Sequence, residues 1–139
     1  MNPIGRVFIQ LHNVLYRATG GRKFNMGGSV LLLHTIGAKS GKPRCNPLMH
    51  IKEGQDFIVI ASAAGADKHP GWYHNLRAHP DATIELSGRS LPVVATILTE
   101  GEERAALYER MVKHEPRFAE YAQKAQRMIP VVVLKPRPT

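Results

Sequence analysis

A chain of 139 residues, 43% apolar and 22% charged, is long enough for one hydrophobic core and too apolar to remain disordered. Its net charge of +8 and pI near 10.0 call for an anionic partner: nucleic acid, an acidic membrane face or a phosphorylated small molecule. The single cysteine, Cys45, excludes an internal disulfide scaffold and fits a reducing cytoplasm, and no apolar run approaches the ~20 residues of a membrane span.

Asn2-Pro3 reads as a helix N-cap with proline at the first helical position. Ile4, Val7, Phe8, Leu11, Val14 and Leu15 then recur at helical spacing until Gly20-Gly21. Met1 to Gly20 lacks the unbroken apolar centre of a signal peptide. The helix is amphipathic and its polar side is basic, so it either packs on the core or rests on an anionic membrane. Residues 1–27 are therefore expected to form this helix and a linker, and residues 28–139 the main domain.

From residue 30 the period changes to that of strands. Val30 to Ile36, Arg44 to Ile51, Phe57 to Ser62, Ala82 to Leu86, Leu91 to Leu98 and Ile129 to Leu134 are the expected strands. Hairpin turns are expected at Glu53-Gly54-Gln55-Asp56 and Ser87-Gly88-Arg89-Ser90. A short helix starts near Pro70 and ends before His79-Pro80. Thr99 with Glu102 fits a capping box for a helix to about Lys113, and Pro116 opens another through Phe118 and Tyr121. About six strands, joined mostly by hairpins and with the helices set apart, describe an α+β protein on a small antiparallel barrel.

Two segments carry the chemistry. Lys39, Lys42 and Arg44 cluster around a Ser-Gly turn, combining fixed positive charge with backbone N–H donors, as a phosphate-bearing ligand requires. This is not a P-loop, because Pro43 and the following alternation put a strand where a helix is needed. Asn46-Pro47 interrupts that strand, and proline there demands an edge position or a bulge. The second segment, His69 to Leu76, carries Trp72, the only tryptophan, beside the small-residue loop Ala63-Ala64-Gly65-Ala66. His69, His74 and His79 recur every five residues, the wrong spacing for a shared helical face, so no metal site is expected. No acidic pair marks a general acid/base couple, which assigns the chemistry to a cofactor.

These residues are recognisable together. Leu-Leu-Leu-His-Thr-Ile-Gly-Ala-Lys-Ser-Gly-Lys-Pro-Arg-Cys-Asn-Pro-Leu from Leu31, Ile-Ala-Ser-Ala-Ala-Gly-Ala from Ile60 and His-Pro-Gly-Trp-Tyr-His-Asn-Leu-Arg-Ala-His-Pro from His69 resemble the deazaflavin-dependent nitroreductase family. The closing Arg-Met-Ile-Pro-Val-Val-Val-Leu is similar to that family's last strand, and the likeness spans roughly residues 28 to 136. The resemblance implies a split β-barrel related to FMN-binding proteins, the deazaflavin coenzyme F420, and hydride transfer to quinones, nitroaromatics or other conjugated acceptors. It implies that Ala38, Lys39 and Ser40 meet the coenzyme's anionic tail. Arg44, Cys45, Asn46, Pro47, Leu48 and Met49 would run along its phosphate and ring. Ile60, Ala61, Ser62 and Ala63, with Gly71, Trp72, Tyr73, His74 and Asn75, would complete the pocket. Ser62 would hydrogen-bond the acceptor, and Tyr121 would cover it or supply a proton.

The chain departs from some members of that family. Ala63 stands where a basic residue can follow the serine, Phe118 where some have tyrosine, and Met49 where some have an aromatic residue. These departures bear on the acceptor more than on the coenzyme. The expected protein is an F420-dependent oxidoreductase of the cytoplasm, acting on a small-molecule acceptor, with its N-terminal helix able to touch a membrane. Two rival readings are an FMN-binding barrel of the same fold and a non-catalytic basic barrel that binds nucleic acid. Against the last, the aromatics are few (6%) and not interleaved with the basic residues as stacking platforms. The oligomeric state is not legible.

Overall fold

A computed structural model describes residues 29–138, so the helix and linker expected over residues 1–27 lie outside the described residues. Seven strands form one antiparallel sheet: β1 Val30–Ile36, β2 Pro43–Met49, β3 Ile51–Glu53, β4 Asp56–Ile60, β5 Asp81–Leu86, β6 Arg89–Leu98 and β7 Val131–Pro136. Three α-helices accompany it, α1 Gly71–Ala78, α2 Glu102–His114 and α3 Arg117–Lys124, with one 3-10 turn at Ala63–Gly65. This is the α+β architecture expected, with seven strands in place of about six.

The additional strand comes from a break. The run expected as one strand over Arg44 to Ile51 divides at His50, which lies between β2 and β3. The spatial order is β2-β1-β5-β6-β7-β4-β3, so the two pieces occupy opposite ends of the sheet. Met49 pairs with Val30 on one side of the break, and Ile51 pairs with Ile58 on the other. At the break the His50 N–H donates to the Ser29 carbonyl at 2.6 Å. A chain that supplies both end strands within eleven residues forces the sheet to curl back on itself, and periodicity alone cannot show that change of partner.

The curled sheet buries both faces. Its inner face gathers Leu31, Leu33, Val59, Val132 and Leu134, and α1 closes over them with Trp72, Tyr73 and Leu76. The outer face of β3, β4 and β7 presents Ile51, Ile58, Ile60, Val131 and Val133 to Leu107 and Met111 of α2 and Phe118 of α3. Successive valines of β7 thus serve two separate cores, the two-residue period of a strand. Each such fully buried side chain contributes about 1.5–3 kcal/mol.

Turn chemistry matches the hairpins. Ser87 and Gly88 both take left-handed backbone (φ 52° and 79°), the two-residue geometry that follows strand twist. The capping box expected at Thr99 does not form. Gly101 (φ 95°) precedes the first helical residue, Glu102, and no side chain caps the helix. Glu102 and Glu103 instead place carboxylates at the positive end of the helix dipole. Arg110 of α2 pairs with Glu53 and donates to the Lys52 carbonyl at 2.8 Å, fixing the helix to the β3 end of the sheet.

His50 is buried, and its Nδ1 finds no hydrogen-bond partner among the described residues. Burial is the main cause that lowers its pKa; Lys52 and His114 add to it, against a backbone hydrogen bond with Ser29. The folded protein therefore binds this proton less readily than the unfolded chain. Stability should be complete above imidazole's ordinary 6.5 and fall as pH drops below it, down to the depressed folded value. Urea midpoints measured from about pH 7 to about pH 5 should show that slope, and His50→Leu should flatten it.

Candidate active site

β2 is an end strand, and Pro47 sits in it, which is the edge placement a proline requires. Beside it lies a cavity of about 260 Å³ lined by Pro47, Leu48, Met49, Ile60, Ser62, Ala63, Ala64, Trp72, Arg117, Phe118 and Tyr121. Its position follows from the two cores. Leu48 and Trp72 belong to the inner one, and Ile60, Met49, Phe118 and Tyr121 to the outer one, so the cavity opens where the two meet. A larger hollow of about 520 Å³, between Phe57, Ile84 and the β5–β6 hairpin, contains none of the residues singled out from the sequence.

One wall of the cavity is conformationally strained. Ala63, Ala64 and Gly65 take left-handed backbone in succession, with φ of 47°, 55° and 83°. Such geometry costs a non-glycine residue about 1–2 kcal/mol and persists only where its surroundings over-determine it. Gly65 N donates to the Ser62 carbonyl at 2.9 Å, and Ala66 N to the Ala63 carbonyl at 3.1 Å, closing a tight bow. Gly65 is pressed against α3: a Cβ there would lie 3.2 Å from Tyr121 Cα and from Lys124 Cβ.

The basic turn stands at the other end of β2. Lys39, Lys42 and Ser40 are exposed and Arg44 is half-buried. Arg44 donates to Ser40 Oγ (3.3 Å) and to the Pro43 carbonyl (3.2 Å), and Ser40 Oγ also accepts from Lys42 N (3.2 Å). None of these three cations has a carboxylate partner among the described residues. The turn is fastened to α1 through Asn75, whose Oδ1 accepts from Ala38 N (2.9 Å) while its Nδ2 donates to Thr35 Oγ1 (3.0 Å). Asn75 is thus a strut between the basic turn and the helix that carries Trp72.

The sequence-derived residues divide accordingly. Pro47, Leu48, Met49, Ile60, Ser62, Ala63, Trp72 and Tyr121 meet around one cavity. Ala38, Lys39, Ser40 and Arg44 form the turn. Asn46, half-buried on β2, connects the two. Cys45 is buried away from the cavity, its Sγ 3.9 Å from His34 Nε2, and that imidazole lies 2.6 Å from Glu85 Oε1. Ala61 and Tyr73 belong to the inner core, while Gly71 and His74 face solvent. Sequence reasoning missed Ala64 and Arg117 as cavity residues, and missed Arg127 altogether. Arg117 is paired with Glu115 at 3.1 Å, which holds the Glu115 carboxyl below its ordinary range. Its place beside the cavity depends on how α3 packs.

The chain as a whole has a family counterpart. The model of the F420H(2)-dependent quinone reductases matches residues 8–136. The chain belongs to this family. An F420H(2)-dependent quinone reductase of Mycobacterium tuberculosis (strain ATCC 25618 / H37Rv) is 34% identical over 139 residues, covering 96% of this chain and 93% of the relative. A solved F420-H2 dependent reductase (FDR-A) is 40% identical with a TM-score of 0.70, covering 77% of this chain and 94% of its own. A chain solved as a domain-swapped dimer is 36% identical with a TM-score of 0.73, covering 96% and 100%. The chain is an oxidoreductase of the split-barrel fold whose cofactor is coenzyme F420. No helix among the described residues is long and apolar enough to cross a membrane.

The bow predicts a sharp sensitivity to one methyl group. Gly65→Ala adds left-handed strain and drives Cβ against the Tyr121 backbone, so urea denaturation should show a loss of about 1–3 kcal/mol. Ala64 shares the left-handed backbone, and Ala64→Gly should lose far less or gain stability.

Proposed function

We propose that the cavity at the junction of the two cores receives the reacting ring and its acceptor, and that the Lys39–Arg44 turn receives the coenzyme's anionic tail. The observation that carries this is the pairing of a cavity of mixed apolar and polar lining with a cationic turn, at the two ends of one edge strand. The residues fit the group. Coenzyme F420 carries a phosphodiester and a polyglutamate tail, and Lys39, Lys42 and Arg44 offer charge that no carboxylate among the described residues neutralises. Room for a flat ring comes from Ala63 and Ala64, which add almost no bulk to the cavity wall, and from Trp72, which offers an apolar face.

Bound there, reduced F420 supplies a hydride equivalent, and a quinone or another conjugated electrophile accepts it. The chain's own work is orientation, water exclusion and proton management. Met49, Ile60 and Phe118 keep the acceptor's side of the cavity apolar. The Ser62 hydroxyl donates to an acceptor oxygen and stabilises charge that develops on it. Tyr121, whose ring packs edge-on against Phe118 at 5.3 Å, covers the cavity and supplies a proton as the acceptor oxygen becomes a hydroxyl.

Trp72 is the sole tryptophan and lines the cavity, so its quenching reports occupancy. F420 should quench it with an affinity that weakens as salt rises, and FMN should not compete. Lys39→Ala and Arg44→Ala should each weaken F420 binding by about threefold to tenfold and reduce its salt dependence. Tight FMN binding with no response to F420 would refute the assignment. Tyr121→Phe should leave F420 affinity intact and lower quinone turnover by about tenfold or more. Unchanged turnover would remove Tyr121 from the proton path.

A further inference from the structure

Arg127 lies in the segment between α3 and β7 and does not line the cavity. Its guanidinium is nevertheless the most heavily engaged side chain near it. Nε donates to the Ala66 carbonyl at 3.0 Å. Nη2 donates to the Ser62 carbonyl at 2.9 Å and the Ala61 carbonyl at 3.2 Å. Nη1 lies 2.9 Å from His69 Nδ1. A guanidinium only donates, so Nδ1 accepts, and neutral His69 carries its proton on Nε2. These acceptors lie on both sides of Ala63, Ala64 and Gly65, the three successive residues with left-handed backbone.

We propose that Arg127 is a positioning residue that holds the Ser62–Gly65 bow in its left-handed form and so sets the wall of the cavity. Two adjacent alanines disfavour that form by themselves, and the bow's own two hydrogen bonds are those of any tight turn. Arg127 adds a fan of donors that matches carbonyls pointing inward from either flank. The planar fork fixes their spacing, which a single ammonium cannot do. Gln126 N donates to Asp67 Oδ1 at 3.3 Å, tying the same two segments one residue away. The His69 ring in turn packs at a tilt of 40° against the Tyr73 ring of α1, with centroids 4.5 Å apart. Arg127 therefore joins three parts of the protein, the bow, α1 and the approach to β7. It would act on the acceptor only through Ser62, Ala63 and Ala64. The inference rests on the cavity being the acceptor site.

The test compares steady-state reduction of menadione by F420H2 with F420 binding followed by Trp72 quenching. The variants are Ser62→Ala, Arg127→Ala, Arg127→Lys and Arg127→Ala combined with Ala63→Gly and Ala64→Gly. Arg127→Ala should lower kcat/KM for menadione by about tenfold or more, a larger factor than its effect on F420 affinity, which rests mainly on the Lys39–Arg44 turn. Arg127→Lys should recover little. The glycine pair should restore a substantial part, because glycine accepts left-handed backbone without the alanine penalty. Assaying every variant under conditions where its urea midpoint shows it fully folded separates positioning from stability, since glycine at these left-handed positions also raises stability. If Arg127→Ala fails to fold, Arg127→Lys with and without the glycine pair gives the same comparison. Full activity in Arg127→Ala, full recovery by lysine, or no rescue by glycine overturns the inference. An effect of Ser62→Ala with none of Arg127→Ala overturns it and leaves the cavity assignment standing. No effect of either variant overturns both.

Discussion

The structure depends on a change of strand partner at His50. Up to Met49 the chain pairs with β1, and from Ile51 it pairs with β4, at the far end of the sheet order. One bent segment thereby serves as both end strands, and the sheet has to curl. Curling gives the sheet an enclosed inner face, filled by Leu31, Leu33, Val59 and Leu134, and an outer face covered by α2 and α3. The buried imidazole at the break, with one nitrogen unsatisfied among the described residues, shows that this geometry is held against a local penalty.

The cavity is a consequence of that arrangement. The two cores share β4, which ends at Ile60 on the cavity's lining. Beyond Ile60 the chain leaves the sheet, enters the left-handed bow, and returns through α1 to place Trp72 opposite Leu48. The strained residues occupy one wall of the cavity. Elsewhere among the described residues, only the glycine turns and Ser87 take positive φ.

Electrostatics divide the site into two regions. The Lys39–Arg44 turn keeps its two lysines exposed and Arg44 half-buried, with no carboxylate partner among the described residues, which costs little in water and attracts anions over a Debye length. Arg117 and Arg127, close to the cavity, are instead committed to partners: Glu115 for one, carbonyls and His69 for the other. Charge is free where a tail would lie and fixed where a ring would react.

The amino-acid order alone determined the element types, the approximate strand positions, the need of Pro47 for an edge or a bulge, and the basic turn, because these follow from period, proline geometry and local charge. Family resemblance in the same residues pointed to the cofactor class and to the cavity residues Ser62, Trp72 and Tyr121. Thr99 shows where local pattern misleads: a capping-box spacing was present, but the helix starts after Gly101, where the chain leaves β6. The tertiary structure decided what required distant segments to meet. His50 ends a strand because its neighbours pair with opposite ends of the sheet, and Cys45 lies away from the cavity, across the ladder from His34. Asn75 became a strut because α1 packs beside the basic turn. Arg127 acquired its partners 58 to 66 positions earlier in the chain, a separation at which no sequence period carries information.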